Sequence, residues 1–240
     1  MENAIAFPFE RGKLYSVRTL DRFLANLVKA RQRDPTLSAK ERARSLPWAK
    51  LWCEELYPVK LYVAHHQLPD QVKFRIMPEG DAVDIELHAP GAITRFQITL
   101  AYPDWDAPAA PSRNPGHVAS LERAGANQQI PVFLGGRIAK TPTGQIVSDP
   151  RVRDNETDQA ACEAGLRKAL EDKFSKAARY IGKVDILLVY FNRLGFYTID
   201  VETTSVVLSV VAEEIRKIGQ SPFPRIAVVD DVPLIYGEYP

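Results

Sequence analysis

The segment VDILLVYF, residues 184–191, constrains the fold of this chain more than any other stretch. It is a continuous apolar run of the kind found in a central strand that is covered on both faces. Helical patterns flank it at 156–181 and 203–219, and a further strand pattern follows at 224–231. A central strand between amphipathic helices predicts an α/β fold with helices on both sides of a sheet.

Three strand patterns come earlier in the chain, at 72–80, 82–88 and 93–101. The first alternates Val72, Phe74 and Ile76 with polar residues, and the other two are joined by a turn at Pro90-Gly91. Three consecutive strands predict a meander. The sequence therefore predicts a mixed central sheet flanked by helices.

The region before the meander is predicted to be largely helical. Residues 14–32 place apolar side chains at helical spacing, and Ser38 is a candidate N-cap for a second helix. We expect that helix to break or kink at Pro47 and to resume as far as Pro58. The pattern at 59–66 fits either a helix or a strand.

The predicted organisation is a single α/β domain over residues 1–240. It has an N-terminal helical extension at 1–37 and a long irregular insert at 102–156. The insert contains seven prolines and no clear periodicity. Loops of this length in compact domains are often functional. We expect the insert to be the least regular part of the chain, with weaker hydrogen-exchange protection than 184–191.

Composition excludes few function classes. The 240 residues are 45% hydrophobic and 25% charged, and 31 Lys and Arg balance 30 Asp and Glu, so net charge indicates no partner. The two cysteines, far apart and without metal-ligand spacing, are typical of a reducing compartment. The longest apolar run is too short to cross a bilayer, and the start lacks a signal-peptide pattern. We expect a cytoplasmic protein with no membrane partner.

The meander carries the residues that suggest chemistry. Asp84 and Glu86 stand two apart on one strand, and Gln97 and Thr99 stand two apart on the next. Side chains two apart share a face of a strand, and folding at the turn is expected to bring Gln97 near Glu86 and Thr99 near Asp84. Alternatively, the two carboxylates lie on the solvated face of an ordinary strand, with Val83, Ile85 and Leu87 facing the core.

The order of elements, with these residues, resembles the restriction-endonuclease-like (PD-(D/E)XK) nuclease fold over residues 38–229. Glu55 sits where the Glu of that fold's first helix would be, and Asp84 where its strand Asp would be. Gln97-Ile98-Thr99 occupies the position of the (D/E)-x-K triplet. This chain departs from the pattern, because Gln97 replaces an acid and Thr99 replaces the lysine.

The resemblance implies a metal-dependent nuclease that acts on or binds DNA, with Mg²⁺ held by Asp84, Glu86 and Gln97. The implied catalytic residues are Asp84, Gln97, Glu55 and Lys173. Lys173 lies on the helix after the meander and would replace the missing strand lysine, as in some nucleases of this fold. Two alternatives remain open. The Lys173 stem packs across the sheet edge with its ammonium in solvent, or the protein is an inactive binding or scaffold protein that retains the fold.

Other candidate residues give weaker signals. His65-His66 lacks a third ligand at zinc-site spacing, and Cys53 lies among apolar and aromatic residues, so structural roles are favoured. No P-loop or nucleophile elbow occurs. Several cations are candidate phosphate contacts for a nucleic-acid partner. They are Lys29, Arg31, Arg33, Arg113, Arg123, Arg137, Lys140, Arg151 and Arg153.

Overall fold

The chain is an α/β protein built on a mixed, open sheet of seven strands, with a separate two-stranded hairpin. A computed structural model describes residues 5–34, 36–42, 46–102, 104, 137–140, 146–149, 155–191, 201–230 and 236–239. The strands are β1 (Leu14–Ser16), β2 (Lys73–Ile76), β3 (Ile85–Ala89), β4 (Ala92–Ala101), β5 (Arg137–Lys140), β6 (Ile146–Asp149), β7 (Ile186–Phe191), β8 (Arg225–Val229) and β9 (Tyr236–Tyr239). The helices are α1 (Arg18–Arg33), α2 (Leu37–Arg42), α3 (Ala49–Leu51), α4 (Tyr57–His65), α5 (Asn155–Ser175) and α6 (Val201–Ile218).

The large sheet has an antiparallel half and a parallel half. Its strand order is β1-β2-β3-β4-β7-β8-β9. Strands β1 to β4 form an antiparallel meander, β4, β7 and β8 run parallel, and β9 pairs antiparallel with β8. Every residue of β7 is buried, so the apolar run is confirmed as a central strand covered on both faces.

Helices pack on both faces of the sheet, and each side has its own apolar core. On one side, α1 and α4 pack on the even-numbered side chains of β4 and β7, such as Phe96 and Leu188. On the other side, α5 and α6 pack on odd-numbered side chains such as Leu187 and Val189. The odd-numbered residues of β4, which include Gln97 and Thr99, face this second side.

The helix expected to end at Pro58 continues to His65, so the ambiguous segment 59–66 is helical. A π-helical turn at Trp52–Leu56 joins α3 to α4, and the Tyr57 amide donates to the Trp52 carbonyl. Proline has no amide hydrogen and its ring clashes with the carbonyl four residues earlier in a regular α-helix. The wider π turn just before Pro58 relieves this clash, and such turns are frequent at functional sites.

Two helix boundaries also differ from the sequence expectations. The second helix begins at Leu37, after a turn in which Asp34 Oδ1 accepts from the Thr36 amide at 2.9 Å, so Ser38 lies inside the helix. The helix expected over 156–181 ends at Ser175 and is followed by a 3₁₀ turn. The chain turns there and buries Tyr180, and Ile181, expected on the apolar stripe, is 62% exposed.

The N-terminal extension and the insert were both expected to be additions to the domain, and the structure describes them to different extents. Residues 5–34 contribute β1 to the sheet and α1 to the core, so this N-terminal part is not solely a helical extension. The insert at 102–156 lies largely outside the described residues. Its described parts are Tyr102, Asp104, the β5–β6 hairpin and the start of α5.

Candidate functional site

The charged residues of interest meet in a cleft of about 370 Å³ on the α5 side of the sheet. The cleft lies between the start of β3, the end of β4, the π turn and the last turn of α5. Seven charged side chains line it: Arg11, Lys50, Glu54, Glu55, Glu79, Asp84 and Lys173. A larger cleft, between the 3₁₀ turn and the end of α6, has no charged residue in its lining.

Asp84 lies at the floor of the cleft, immediately before β3. Its Oδ2 atom accepts hydrogen bonds from the Ile98 amide at 2.7 Å and from the side-chain amide of Gln97. Burial raises the pKa of Asp84 to about 6, although the Ile98 hydrogen bond acts in the opposite direction. This carboxyl group therefore changes its charge close to neutral pH.

The strand register places Gln97 opposite Asp84, and not opposite Glu86 as expected. A two-residue turn at Pro90-Gly91 pairs Ala89 with Ala92. The same pairing sets Glu86 opposite Arg95 and shifts the expected register by two residues. Because side chains alternate with a period of two, the shift leaves the residues on the same face. The expectation that Asp84 and Gln97 share a face is confirmed by their hydrogen bond.

Glu86, expected as a metal ligand, does not line the cleft. Its carboxylate lies 3.0 Å from His88 Nε2, 3.6 Å from Arg75 Nη1 and 3.9 Å from Arg95 Nε. These residues come from its own strand and from both neighbouring strands. The register explains this placement. It sets Glu86 opposite the basic residues Arg75 and Arg95, and it sets Gln97 opposite Asp84.

Glu55 reaches the cleft from the π turn, and Arg11 binds it. The Arg11 guanidinium donates to both carboxylate oxygens, with Nη2–Oε1 at 2.7 Å and Nη1–Oε2 at 3.1 Å. Arg11 was not among the site residues predicted from the sequence, because an ion pair between distant segments leaves no local pattern. Gly12, whose backbone φ is +82°, marks a turn beside Arg11 but does not indicate its partner.

Lys173 lies in the last turn of α5 and lines the cleft together with Asp84. Burial lowers the pKa of Lys173, and the negative charge of Asp84 partly offsets this effect. The Lys173 ammonium also lies 5.5 Å from the centre of the Tyr180 ring, at cation–π distance. The Lys173 side chain is half-buried.

The oxygen donors of the cleft suit a hard cation such as Mg²⁺. Asp84 and Glu55 supply carboxylates, and Gln97 and Thr99 supply neutral oxygens. Mg²⁺ keeps several waters and can be held by one or two carboxylates, so this set fits. Within the described ranges, no three His, Cys, Asp or Glu side chains gather as a ligand set.

The remaining candidates have structural surroundings. His65 and His66 lie at the end of α4 with ring centres 5.4 Å apart, and His66 packs on Tyr62 at 4.2 Å. Cys53 Sγ lies 3.7 Å from Glu41 Oε1. Arg31, a candidate phosphate contact, also binds Glu41. Of the basic residues expected from the insert, Arg137 and Lys140 belong to β5, and Arg113, Arg123, Arg151 and Arg153 lie outside the described residues.

Comparisons of the chain with protein-family models, with curated proteins and with solved structures each found no match. The cleft and the fold therefore carry the functional argument. Among the described residues, none of the helices has both the length and the apolar character needed to cross a bilayer.

Proposed function

We propose that this chain is a nuclease-like protein with a restriction-endonuclease-like core, whose cleft binds a divalent cation and a phosphodiester of a nucleic acid. The order of elements supports this proposal. A helix bearing Glu55 is followed by the β2–β4 meander, then by α5 and by β7, which pairs parallel with β4. This is the order expected from the resemblance.

One observation carries the proposal: Asp84 and Lys173 line the same cleft although they lie far apart in the sequence. Thr99, at the usual lysine position, lies there as well. Lys173 of α5 therefore lies in the same cleft as the carboxylate of Asp84, with which it would act. A cleft that holds a half-buried carboxylate with a raised pKa, a second carboxylate and a partly desolvated lysine suits phosphodiester chemistry.

The residues of the cleft have separate roles in this proposal. Asp84, ionised above a pKa of about 6, and Glu55 would hold a divalent cation. The cation would supply charge stabilisation at the phosphate and would acidify a water molecule. Lys173 donates hydrogen bonds to a phosphate oxygen or orients the attacking water. Because burial lowers its pKa, the Lys173 ammonium releases a proton more readily than that of an exposed lysine.

A second candidate function is an inactive binding or scaffold protein with the same fold. It is favoured by the internal partners of both carboxylates. Arg11 binds Glu55 through two hydrogen bonds, and the Ile98 amide and Gln97 donate to Asp84. These contacts satisfy the carboxylates without a cation. In the nuclease-like protein, a cation replaces some of these partners of the carboxylates. In the scaffold protein, the partners stay in place.

Cleavage assays on Lys173→Met separate the two candidates. Methionine keeps the packed stem and removes the ammonium group. The wild type is expected to cleave single- or double-stranded DNA or RNA with Mg²⁺ or Mn²⁺, and Lys173→Met is expected to lose about 100-fold or more of this activity. The matched control is Lys168→Met on the same helix, whose side chain is 75% exposed and pairs with Asp104 at 3.0 Å. It should retain activity.

The absence of metal-dependent cleavage by the wild type on all of these substrates would exclude the enzyme and leave the scaffold. Equal activity in Lys173→Met and wild type would instead remove Lys173 from the mechanism.

A further inference from the structure

The Arg11 guanidinium lies in the cleft beside its carboxylates. Besides its two hydrogen bonds to Glu55, its Nη1 atom donates to the Met77 carbonyl at 2.6 Å. The side chain of Glu55 is only 16% exposed and that of Arg11 is 31% exposed, so water screens this pair incompletely. A bidentate arginine–carboxylate pair is among the stronger polar contacts in proteins.

The segment that carries Arg11 is anchored on the sheet. The Gly12 amide donates to the Ile76 carbonyl of β2 at 2.7 Å, and its positive φ of +82° is a backbone conformation that favours glycine. Phe9, two residues before Arg11, is buried against Phe23 and Phe74 in the first core. Arg11 therefore reaches the cleft from a fixed backbone position.

The charge of Arg11 is balanced by more than Glu55. Burial opposes its charge, but the hydrogen bonds and charge of Glu55, together with the charges of Glu79 and Asp84, keep the pKa of Arg11 above its ordinary value. All three carboxylates line the same cleft. The guanidinium thus offsets part of the negative charge to which a divalent cation would bind.

We propose that Arg11 competes with the divalent cation, so that the Arg11–Glu55 ion pair regulates occupancy of the cleft. This inference rests on the proposed function. Glu55 becomes a cation ligand only when the ion pair opens, because Arg11 binds both of its oxygens. If a cation enters while Arg11 stays in place, the two positive charges also repel each other, and water screens this repulsion only weakly. Removal of the Arg11 charge should therefore strengthen cation binding.

The test is isothermal titration of the full chain with Mn²⁺ alone at pH 7.5. Arg11→Gln removes the charge and keeps a hydrogen-bond donor for the Met77 carbonyl. It is expected to bind Mn²⁺ at least 10-fold more tightly than the wild type. Lys13→Gln makes the same change in net charge two residues away, at a side chain that is 60% exposed and pairs with Glu10. Its Mn²⁺ affinity should equal that of the wild type.

A double variant identifies the ligand that Arg11 blocks. Arg11→Gln with Glu55→Gln should lose the gain in affinity, because the released carboxylate is absent. If Arg11→Gln does not fold, Arg11→Lys provides the test. Lysine keeps the charge but not the two parallel hydrogen bonds, so a smaller gain in Mn²⁺ affinity is expected. Loss of affinity in Arg11→Lys would mean that Arg11 supports the site.

The outcomes separate this inference from the proposed function. Tighter binding by Arg11→Gln supports competition even when the wild type cleaves no nucleic acid. Equal binding in Arg11→Gln and the wild type, or no binding in either protein, overturns it. A wild type that cleaves nucleic acid, with no affinity gain in Arg11→Gln, retains the function and rejects the regulation.

Discussion

At the scale of single residues, the ionised carboxylate of Asp84 lowers the stability of the folded protein, and a role in function would explain this cost. Burial raises the pKa of its carboxyl group from the ordinary value of 3.8 to about 6. The folded protein therefore binds this proton more tightly than the unfolded chain does. As pH rises from about 4 to about 6, ionisation of Asp84 lowers the free energy of unfolding, and the loss persists above pH 6.

We predict that Asp84→Asn stabilises the protein at neutral pH. Asparagine keeps an oxygen that accepts the hydrogen bond from the Ile98 amide, and it carries no charge to bury. From the shift of the Asp84 pKa to about 6, the free energy of unfolding should rise by about 2 to 3 kcal/mol at pH 7.5. The gain should fall below about 1 kcal/mol at pH 4, where the folded carboxyl group is protonated and the unfolded one is only partly ionised. Urea denaturation at the two pH values measures both quantities.

The control for this prediction is Asp70→Asn, which removes an exposed carboxylate that pairs with Arg18. Its effect should stay within the ~1 kcal/mol typical of exposed ion pairs at both pH values. A loss of stability in Asp84→Asn at pH 7.5 would show that the ionised carboxylate stabilises the fold.

At the scale of elements, the position of α5 decides where Lys173 lies. Gly165 sets that position, because a Cβ atom there would lie 1.7 Å from the Tyr102 carbonyl oxygen. The chain just beyond β4 therefore passes directly against α5, and the Asp104 amide donates to the Ala161 carbonyl at 2.8 Å. A larger residue at 165 must displace either α5 or the backbone at Tyr102.

We predict that Gly165→Ala destabilises the protein by about 3 kcal/mol or more, despite the better helix propensity of alanine, because the clash involves backbone atoms. Gly219→Ala is the comparison variant. Its Cβ meets nothing within 4 Å, so only the positive φ of +81° adds strain, of about 1 to 2 kcal/mol. Urea denaturation gives both values. Gly165→Ala with wild-type stability would mean that α5 lies farther from Tyr102 than described.

The elements also show how far sequence patterns predict this fold. The buried run of β7 and the alternation in β2 depend on local periodicity, and both strands were predicted. The helical state of 59–66 was not, because a short apolar segment fits both periods. The end of α5 was placed too late, since the burial of Tyr180 is a tertiary contact.

The site was less predictable than the fold. The sequence spacing indicated that Asp84 and Gln97 lie on one face of the sheet. The register, however, depends on the two-residue turn. A shift of two residues changes the cross-strand partners but leaves each side chain on the same face. Arg11 left no local signal, because its partner Glu55 lies on a separate element and the π turn that presents Glu55 depends on Pro58.

At the scale of the whole molecule, the cleft lies where the two halves of the sheet meet. Strand β4 pairs antiparallel with β3 and parallel with β7. Helix α5 packs on β4, and Glu86, Arg75 and Arg95 of the neighbouring meander form a half-exposed polar surface on the same face. The last turn of α5 therefore brings Lys173 to the border between a covered and an open region.

In the proposed function, Asp84, Glu55 and Lys173 form one site for a divalent cation and a phosphodiester. The anomalous difference density of a crystal of this protein soaked in Mn²⁺ tests this site. We expect a peak in the cleft at coordination distance from an Asp84 oxygen, with Glu55 turned from Arg11 toward the ion. A fully soaked crystal with no peak at Asp84, and with the Arg11–Glu55 pair intact, would rule out the proposed cation site.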